Sequence, residues 1–437
     1  MLYQLSYLAT EEKRSLQRNA HDNRPSLEGT KDTPRMWFGK LRRLASGRRD
    51  GQEFWERHAQ RDPLWAILSD PVKKGRKWDL PEFFETGTRE IAVLLYRLAE
   101  LEIPISLGTA LDFGCGVGRL TQALAEHFDQ AVGVDISPTM IALAEKLNTH
   151  ASRARYVANS RDDLSIFDAD SFDFIYSAIV LQHVQPETTR RYLADFFRIL
   201  KKGGVLVFQL PSHARPARDR RPSATAMPDD AYRARVTVQA LPQTVLAPSS
   251  EIRAMGSVKN ISSRSWSQLE HGSIGLGNHW LDGRGEMMLV QDDGRVSLPS
   301  TLGPGEAFDF ALKMQAPRIP GAYQCEIDLV HEAVCWFADR GSNSARFAVR
   351  VGQQPDDAAG PGDKPRAAAF ASTGVPLRDI YDDLPAQTEE PGTIPMYCIE
   401  RNDVASLVSA HGAQLIQIDE DTQCGMEWVG YRYFVRK

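Results

Sequence analysis

Ala110-Leu-Asp-Phe-Gly-Cys-Gly-Val-Gly-Arg-Leu120, followed by Val132-Gly-Val-Asp135, decides how this chain is read. The pattern predicts a buried strand at 109–113, a glycine turn through Gly114, Gly116 and Gly118, a helix at 118–127 and a second strand at 131–135. A turn this rich in glycine lets a ligand approach bare backbone. The helix start beyond it offers unpaired N–H donors. An acid about 20 residues further on suits a ribose diol, and Asp135 stands there. The unit therefore reads as a site for a nucleoside-type cofactor. A dinucleotide fingerprint needs G-x-G-x-x-G, and Arg119 occupies the third glycine position. Asp112, at the strand tip, would repel a pyrophosphate and welcome a cation, such as an ammonium beside a sulfonium.

Leu111-Asp-Phe-Gly-Cys-Gly-Val-Gly118 resembles the first motif of the class I S-adenosylmethionine-dependent methyltransferases. The resemblance continues, in order, through Val134-Asp-Ile-Ser137, Asn159–Leu164, Ser171-Phe-Asp-Phe-Ile-Tyr176 and Leu200-Lys-Lys-Gly-Gly-Val-Leu-Val207. It implies an α/β fold, a Rossmann-like sheet with helices on both faces, and S-adenosyl-L-methionine as cofactor. It also implies a set of cofactor-binding residues. Gly114, Gly116 and Gly118 would surround the methionine part and Asp135 would hold the ribose hydroxyls, with Asp112, Ile136 and Ser177 also in the cofactor-binding set. The family often carries an acid directly after the third strand. Here Ser160 holds that place, so either Asp162, or Asn159 with Ser160, is left to meet the adenine amino group. Ser177-Ala-Ile-Val follows the fourth strand without a Pro-Pro-aromatic sequence, which speaks against base amino groups in DNA as acceptors.

A hydroxyl acceptor must lose a proton, which calls for a general base. His183, in Val180-Leu-Gln-His-Val184, is the candidate catalytic residue, because its ordinary pKa suits neutral pH. Its alternative is to shape the loop before the next helix. Cys115 lies in the glycine turn without an evident histidine partner and reads as a small filler.

The length of 437 residues predicts two or three domains, and a net charge of −5 does not suggest a nucleic-acid binder. No apolar run approaches the roughly 20 residues of a membrane span. The N-terminus makes a poor signal peptide. Cysteines 115, 325, 335, 398 and 424 form no C-x-x-C pair, which argues against zinc and fits a reducing cytoplasm.

Residues 1–50 read as a polar tail whose basic cluster, Arg35–Arg49, is either solvated or in weak peripheral contact with an anionic surface. Residues 51–106 read as a helical cap, in which Trp78, Phe83 and Phe84 either form a lid or pack helix on helix. The core is expected over 107–211, with strands near 109–113, 131–135, 154–158, 172–177 and 204–210 and helices near 138–148 and 187–200. A linker is expected at 212–232, and a second at 353–392. Between them, 233–352 reads as an inserted all-β sandwich with an immunoglobulin-like architecture, with strands at 235–238, 251–259, 307–314, 323–330 and 346–351. Tyr323, two residues before Cys325, suits a tyrosine corner. Asp282-Gly283, Asp293-Gly294, Pro304-Gly305, Pro320-Gly321 and Arg340-Gly341 read as turns. Residues 393–437 resume the α/β pattern with a helix and a hairpin, so the sandwich interrupts the core after its fifth strand. Trp266, Trp280, Trp336 and Phe337 are either sugar-stacking faces or sandwich core. Leu276–Trp280 and Val334–Gly341 are similar to accessory domains beside bacterial surface-polysaccharide enzymes.

Together these features predict a methyltransferase acting on a small-molecule or glycan hydroxyl, with the sandwich helping to bind the acceptor. A protein or RNA methyltransferase is the nearest alternative. An inactive scaffold is another, disfavoured by the intact Asp112, glycines and Asp135.

Overall fold

A computed structural model describes residues 51–216, 226–240, 245–352, 376–382, 384 and 394–437. The basic tail, residues 217–225 of the first expected linker and most of the second lie outside the described residues. The described chain falls into two compact units.

The first unit holds a seven-stranded sheet. Its strands are β1 (Thr109–Phe113), β2 (Gln130–Asp135), β3 (Ala154–Ala158), β4 (Phe172–Ser177), β5 (Leu200–Ala214), β6 (Gln414–Asp421) and β7 (Trp428–Arg436). The order is β6-β7-β5-β4-β1-β2-β3. The pairs β1–β2, β2–β3, β1–β4 and β4–β5 are parallel, while β7 runs antiparallel to both β5 and β6. This is the Rossmann-like methyltransferase arrangement, a mixed sheet closed by an antiparallel hairpin. The parallel strands read as continuous apolar runs because helices cover both faces. The helices are α1 (Leu80–Glu100), which continues into the second unit, α2 (Arg119–Ala125), α3 (Pro138–Lys146), α4 (Pro186–Ile199) and α5 (Arg401–Ala410). Ser137 caps α3, its side chain accepting the Met140 N–H, and proline opens both α3 and α4.

β5 is longer than the expected 204–210. It begins where α4 ends and runs on to Ala214, its far end paired with Trp428 and Val429 of β7. Residues 376–382, expected to be linker, contain the short helix Leu377–Asp382. Its Ile380 and Tyr381 are buried beside Leu64, Trp78, Phe83 and Phe84. Those three aromatics are core packing, since Trp78, Phe83 and Phe84 sit in this cluster and not on the cavity described below.

The second unit is β-rich and includes residues 89–104, so the end of α1 departs from the expected cap and joins it. Three strands (Ala234–Ala240, Glu251–Asn260, Ala307–Gln315) make one sheet, and six make another. Both sheets contribute to one apolar core that holds Ala254, Leu312, Leu276, Trp280 and Ile327, together with Tyr96 of α1. Met227, Ala231 and Tyr232, expected in a linker, are buried in the same core. The Tyr323 hydroxyl donates to the Ile319 carbonyl at 2.7 Å, the backward bond expected of a tyrosine corner.

Two long strands were not expected, Ile274–Asp282 and Met288–Ser297, nor were the two-residue strands Val245–Leu246, Trp266–Ser267, Thr301–Leu302 and Cys335–Trp336. Asp293-Gly294, read as a turn, lies inside the second long strand. The Asp293 carboxylate accepts from the Trp280 indole and the Gln315 N–H, both at 3.1 Å. A Cβ on Gly294 would stand 2.3 Å from the Lys313 carbonyl, so glycine here serves close strand approach. Trp266, Trp280, Trp336 and Phe337 are all interior, which removes them as open faces for stacking sugars. Among the described residues, no helix is long and apolar enough to cross a membrane.

Candidate cofactor and acceptor site

A cavity of about 550 Å³ opens in the first unit at the carboxyl ends of β1, β2, β3 and β4. Ligands on open α/β sheets bind at this edge. Gly114, Gly116 and Gly118 all have left-handed backbone, with φ of 78°, 53° and 85°. At Gly114 the requirement is also steric, because a Cβ there would lie 2.4 Å from a methyl of Val180. A Cβ on Gly116 would lie 2.5 Å from the Ile67 side chain. The turn is thus a bare-backbone cradle that a side chain would fill.

Asp135 ends β2 on the cavity wall. One carboxylate oxygen accepts the Gly116 N–H and the other the Ser137 N–H, each at 2.9 Å. A carboxylate has about four acceptor positions, so Asp135 can still accept a ligand hydroxyl. Burial pushes the Asp135 pKa up, the backbone donors pull it back, and Glu56 nearby adds a smaller upward push. Helical residues 51–61 close this side. Glu56 accepts from the Ser137 hydroxyl at 2.6 Å and also from the Thr139 hydroxyl, while the Gln52 amide donates to the Ile136 carbonyl at 3.3 Å. Ile136, Phe54 and Trp55 line the cavity as well.

Asp112 and Ser177 lie behind the turn, off the cavity. Asp112 is fully buried and accepts the Thr121 hydroxyl at 2.6 Å, tying β1 to α2. The Ser177 hydroxyl donates to the Phe113 carbonyl at 3.3 Å. Gly118 caps α2 beneath Tyr156 and does not line the cavity either. Cys115 is buried, and desolvation raises its thiol pKa well above the ordinary value, which suits a filler rather than a nucleophile.

At the end of β3, Asn159, Ser160 and Asp162 all line the cavity. Asn159 is locked in a local turn, its amide donating to the Asp163 carbonyl at 2.8 Å and its oxygen accepting the Arg161 N–H at 3.1 Å. Asp162 is ion-paired with Arg191 of α4 at 2.6 Å.

Arg119 was read from the sequence only as the residue that breaks a dinucleotide pattern. It is a cavity-lining cation, 3% exposed, whose guanidinium donates to the Thr86 hydroxyl at 3.3 Å. Gly87 makes room for it, since a Cβ there would stand 2.4 Å from the Arg119 carbonyl.

His183 lies on the cavity wall, in the short turn Leu181–His183 after β4. The Trp55 ring packs on it at 5.4 Å. Its Nδ1–H donates to the Pro395 carbonyl at 2.8 Å, and its Nε2 accepts from the Gln182 amide at 3.0 Å. Burial lowers its pKa to about 4. The imidazole is therefore neutral at pH 7, with both nitrogens engaged by protein groups. Pro395 and Tyr397, from the segment 394–400, complete this wall.

The sheet order, the left-handed glycine cradle and the two-pronged acid at the end of β2 define a Rossmann-like methyltransferase domain. Residues 111–208 match the sequence family described as a methyltransferase domain. The chain is 35% identical over 112 residues to a ubiquinone biosynthesis O-methyltransferase of Coxiella burnetii, covering 25% of this chain and 46% of that protein. It is 36% identical over 118 residues to a trans-aconitate 2-methyltransferase of Deinococcus radiodurans, covering 26% and 43%. The chain thus spans less than half the length of these curated relatives. A solved S-adenosylmethionine-dependent methyltransferase from Clostridium acetobutylicum aligns at 11% identity over 80% of this chain and 91% of its own, with a TM-score of 0.33. The donor set around Gly114, Gly116 and Asp135 fits S-adenosyl-L-methionine.

Proposed function

We propose that the chain transfers the methyl group of S-adenosyl-L-methionine to a hydroxyl of a small metabolite or a glycan, with S-adenosylhomocysteine as the leaving group and the hydroxyl proton released to solvent. The observation that carries this reading is the Asp135 carboxylate, held by two backbone donors beside a glycine cradle on one cavity. When bound, the cofactor supplies an electrophilic methyl on a cationic sulfur. Asp135 takes the ribose hydroxyls, with Ile136 alongside. Gly114 and Gly116 give backbone room to the methionine part, and Arg119 takes its carboxylate. Asn159, Ser160 and Asp162 face the adenine. Asp112, Gly118 and Ser177 support the cradle from behind.

Trp55, His183, Pro395 and Tyr397 form the part of the wall left for the acceptor. Alignment of acceptor and methyl can supply several kcal/mol of the barrier. The β-rich unit enters the chain directly after β5, and we assign it a share in selecting the acceptor.

Calorimetric titration with S-adenosylmethionine and, separately, with NAD tests the cofactor. Saturable binding of the first alone is expected, and binding of NAD in its place overturns the reading. Transfer of isotopically labelled methyl to a panel of hydroxylated quinone precursors, hydroxy acids, sugar nucleotides and glycans then tests the acceptor. Label recovered only on nitrogen or carboxylate refutes hydroxyl transfer.

A further inference from the structure

Two buried glutamines connect His183 to the backbone of the β4 end. The Ile179 N–H donates to Gln209 Oε1 at 3.2 Å, and Gln209 Nε2 donates to Gln182 Oε1 at 3.2 Å. Gln182 Nε2 then donates to His183 Nε2 at 3.0 Å, and His183 Nδ1–H donates to the Pro395 carbonyl at 2.8 Å. Both ends of this row have only one possible sense, because a backbone N–H can only donate and a carbonyl can only accept. Each amide orientation and the imidazole tautomer follow from those ends. Neither glutamine has solvent as an alternative partner, since Gln209 is 0% and Gln182 4% exposed. The starting N–H belongs to Ile179, a β-branched residue at φ 61°. Such a conformation persists only where its surroundings enforce it.

We infer that Gln209 and Gln182 are positioning residues that hold His183 as the neutral Nδ1–H tautomer, and that His183 pins the segment 394–399 over the cavity instead of acting as a general base. A neutral imidazole has one in-plane lone pair, and at Nε2 it is taken by Gln182. The Nδ1–H is taken by Pro395. The same dipeptide holds the segment a second time, through the Tyr397 N–H donating to the Gln182 carbonyl at 2.7 Å, and Ile399 is tied to the Pro211 carbonyl at 3.0 Å. His58, from the helical stretch 51–61, adds repulsion against a charged His183. This inference concerns the wall assigned above to the acceptor and rests on that reading for its functional meaning, but its test does not require turnover.

The full chain is labelled with 15N-histidine, and the His183 signal is assigned by its loss in His183→Asn. At pH 7 the wild type is expected to show a pyrrole-like Nδ1 and a pyridine-like Nε2. Gln182→Glu removes the amide donor and is expected to move the proton to Nε2 or to give the imidazolium. An Nε2–H tautomer in the wild type, or an unchanged pattern in Gln182→Glu, overturns the inference.

Amide exchange at Tyr397 tests the pin. Asparagine carries a donor where His183 carries Nδ1–H, whereas glutamine does not. Protection is therefore expected to survive in His183→Asn and to fall about tenfold in His183→Gln, as for loss of one hydrogen bond. Equal protection in both variants, or loss in both, counts against the pin. Titration of the same samples with S-adenosylmethionine separates the two proposals. A wild type that shows the expected tautomer but binds no cofactor sinks the functional reading alone.

Discussion

Asp135 is the residue at which charge, burial and ligand chemistry meet. Its two oxygens already accept backbone hydrogen bonds from Gly116 and Ser137, yet burial still leaves its pKa above the ordinary carboxylate value. The sign of the linkage follows. Between the unfolded and the raised folded pKa, the native state holds the proton that the unfolded state has lost, so this group's contribution to stability declines as pH rises through that window. A ribose diol can donate to both oxygens of the ionised form, and more weakly to a single oxygen of the protonated form. Cofactor affinity is therefore expected to fall as the solution is acidified through the raised pKa, and binding there should release protons. Titrations at acid pH in buffers of different ionisation enthalpy read that release directly. Asp135→Asn keeps the shape, replaces one acceptor oxygen by a donor and removes the charge. An affinity loss of roughly 10- to 100-fold is expected, the size of one or two charge-assisted hydrogen bonds, and the proton release should vanish. Unaltered affinity in Asp135→Asn would show that the diol is held elsewhere.

At the scale of the element, the glycine turn is packed against the Val180 side chain, which leaves no room for a Cβ at Gly114. Gly114→Ala places a Cβ 2.4 Å from a Val180 methyl on a backbone at φ 78°. The left-handed conformation costs about 1–2 kcal/mol and the overpacking about 1–3 kcal/mol. Thermal unfolding of Gly114→Ala is expected at lower temperature, with cofactor affinity weakened at least tenfold. Adding Val180→Ala should return part of the stability, since it relieves the clash and leaves the backbone term. A double variant no more stable than Gly114→Ala would show that Val180 does not buttress the turn. The core strands were legible because parallel strands buried on both faces read as short apolar runs bounded by Gly, Asp or Ser. Asp293-Gly294 misled because the same dipeptide serves a turn or a close approach between strands, and only the partner strand decides. Asp135 and the glycines were legible from spacing. Glu56 and Gln52 were not, since they reach α3 and the end of β2 from more than eighty residues away. Gln209 did leave a signal, a polar residue inside the apolar run Val205–Leu210, and a buried amide must find partners.

At the scale of the whole molecule, the chain path and the packing divide at different places. By sequence, the β-rich insertion begins after β5 and ends before the helix Leu377–Asp382, so excising residues 217–368 with a short linker would leave the seven-stranded sheet and that helix in place. By packing, the β-rich unit also owns residues 89–104, the end of α1. Tyr96 is 4% exposed within the core that contains Trp280, Leu312 and Tyr323, and Arg318 is ion-paired with Glu102. Excision would strip these partners from α1 and uncover Tyr96. Fully exposing one large apolar side chain costs about 1.5–3 kcal/mol, and an uncovered apolar strip invites association. The excised chain is therefore expected to unfold at lower temperature than the intact protein and to self-associate. Tyr96→Lys in the excised chain should reduce the association, whereas the same change in the intact protein should destabilise it by burying an unpaired charge. Light scattering and calorimetric unfolding of the four proteins measure this reversal of sign. If Tyr96→Lys proves harmless in the intact chain, Tyr96 is not part of the β-rich core, and the end of α1 belongs with the cap after all.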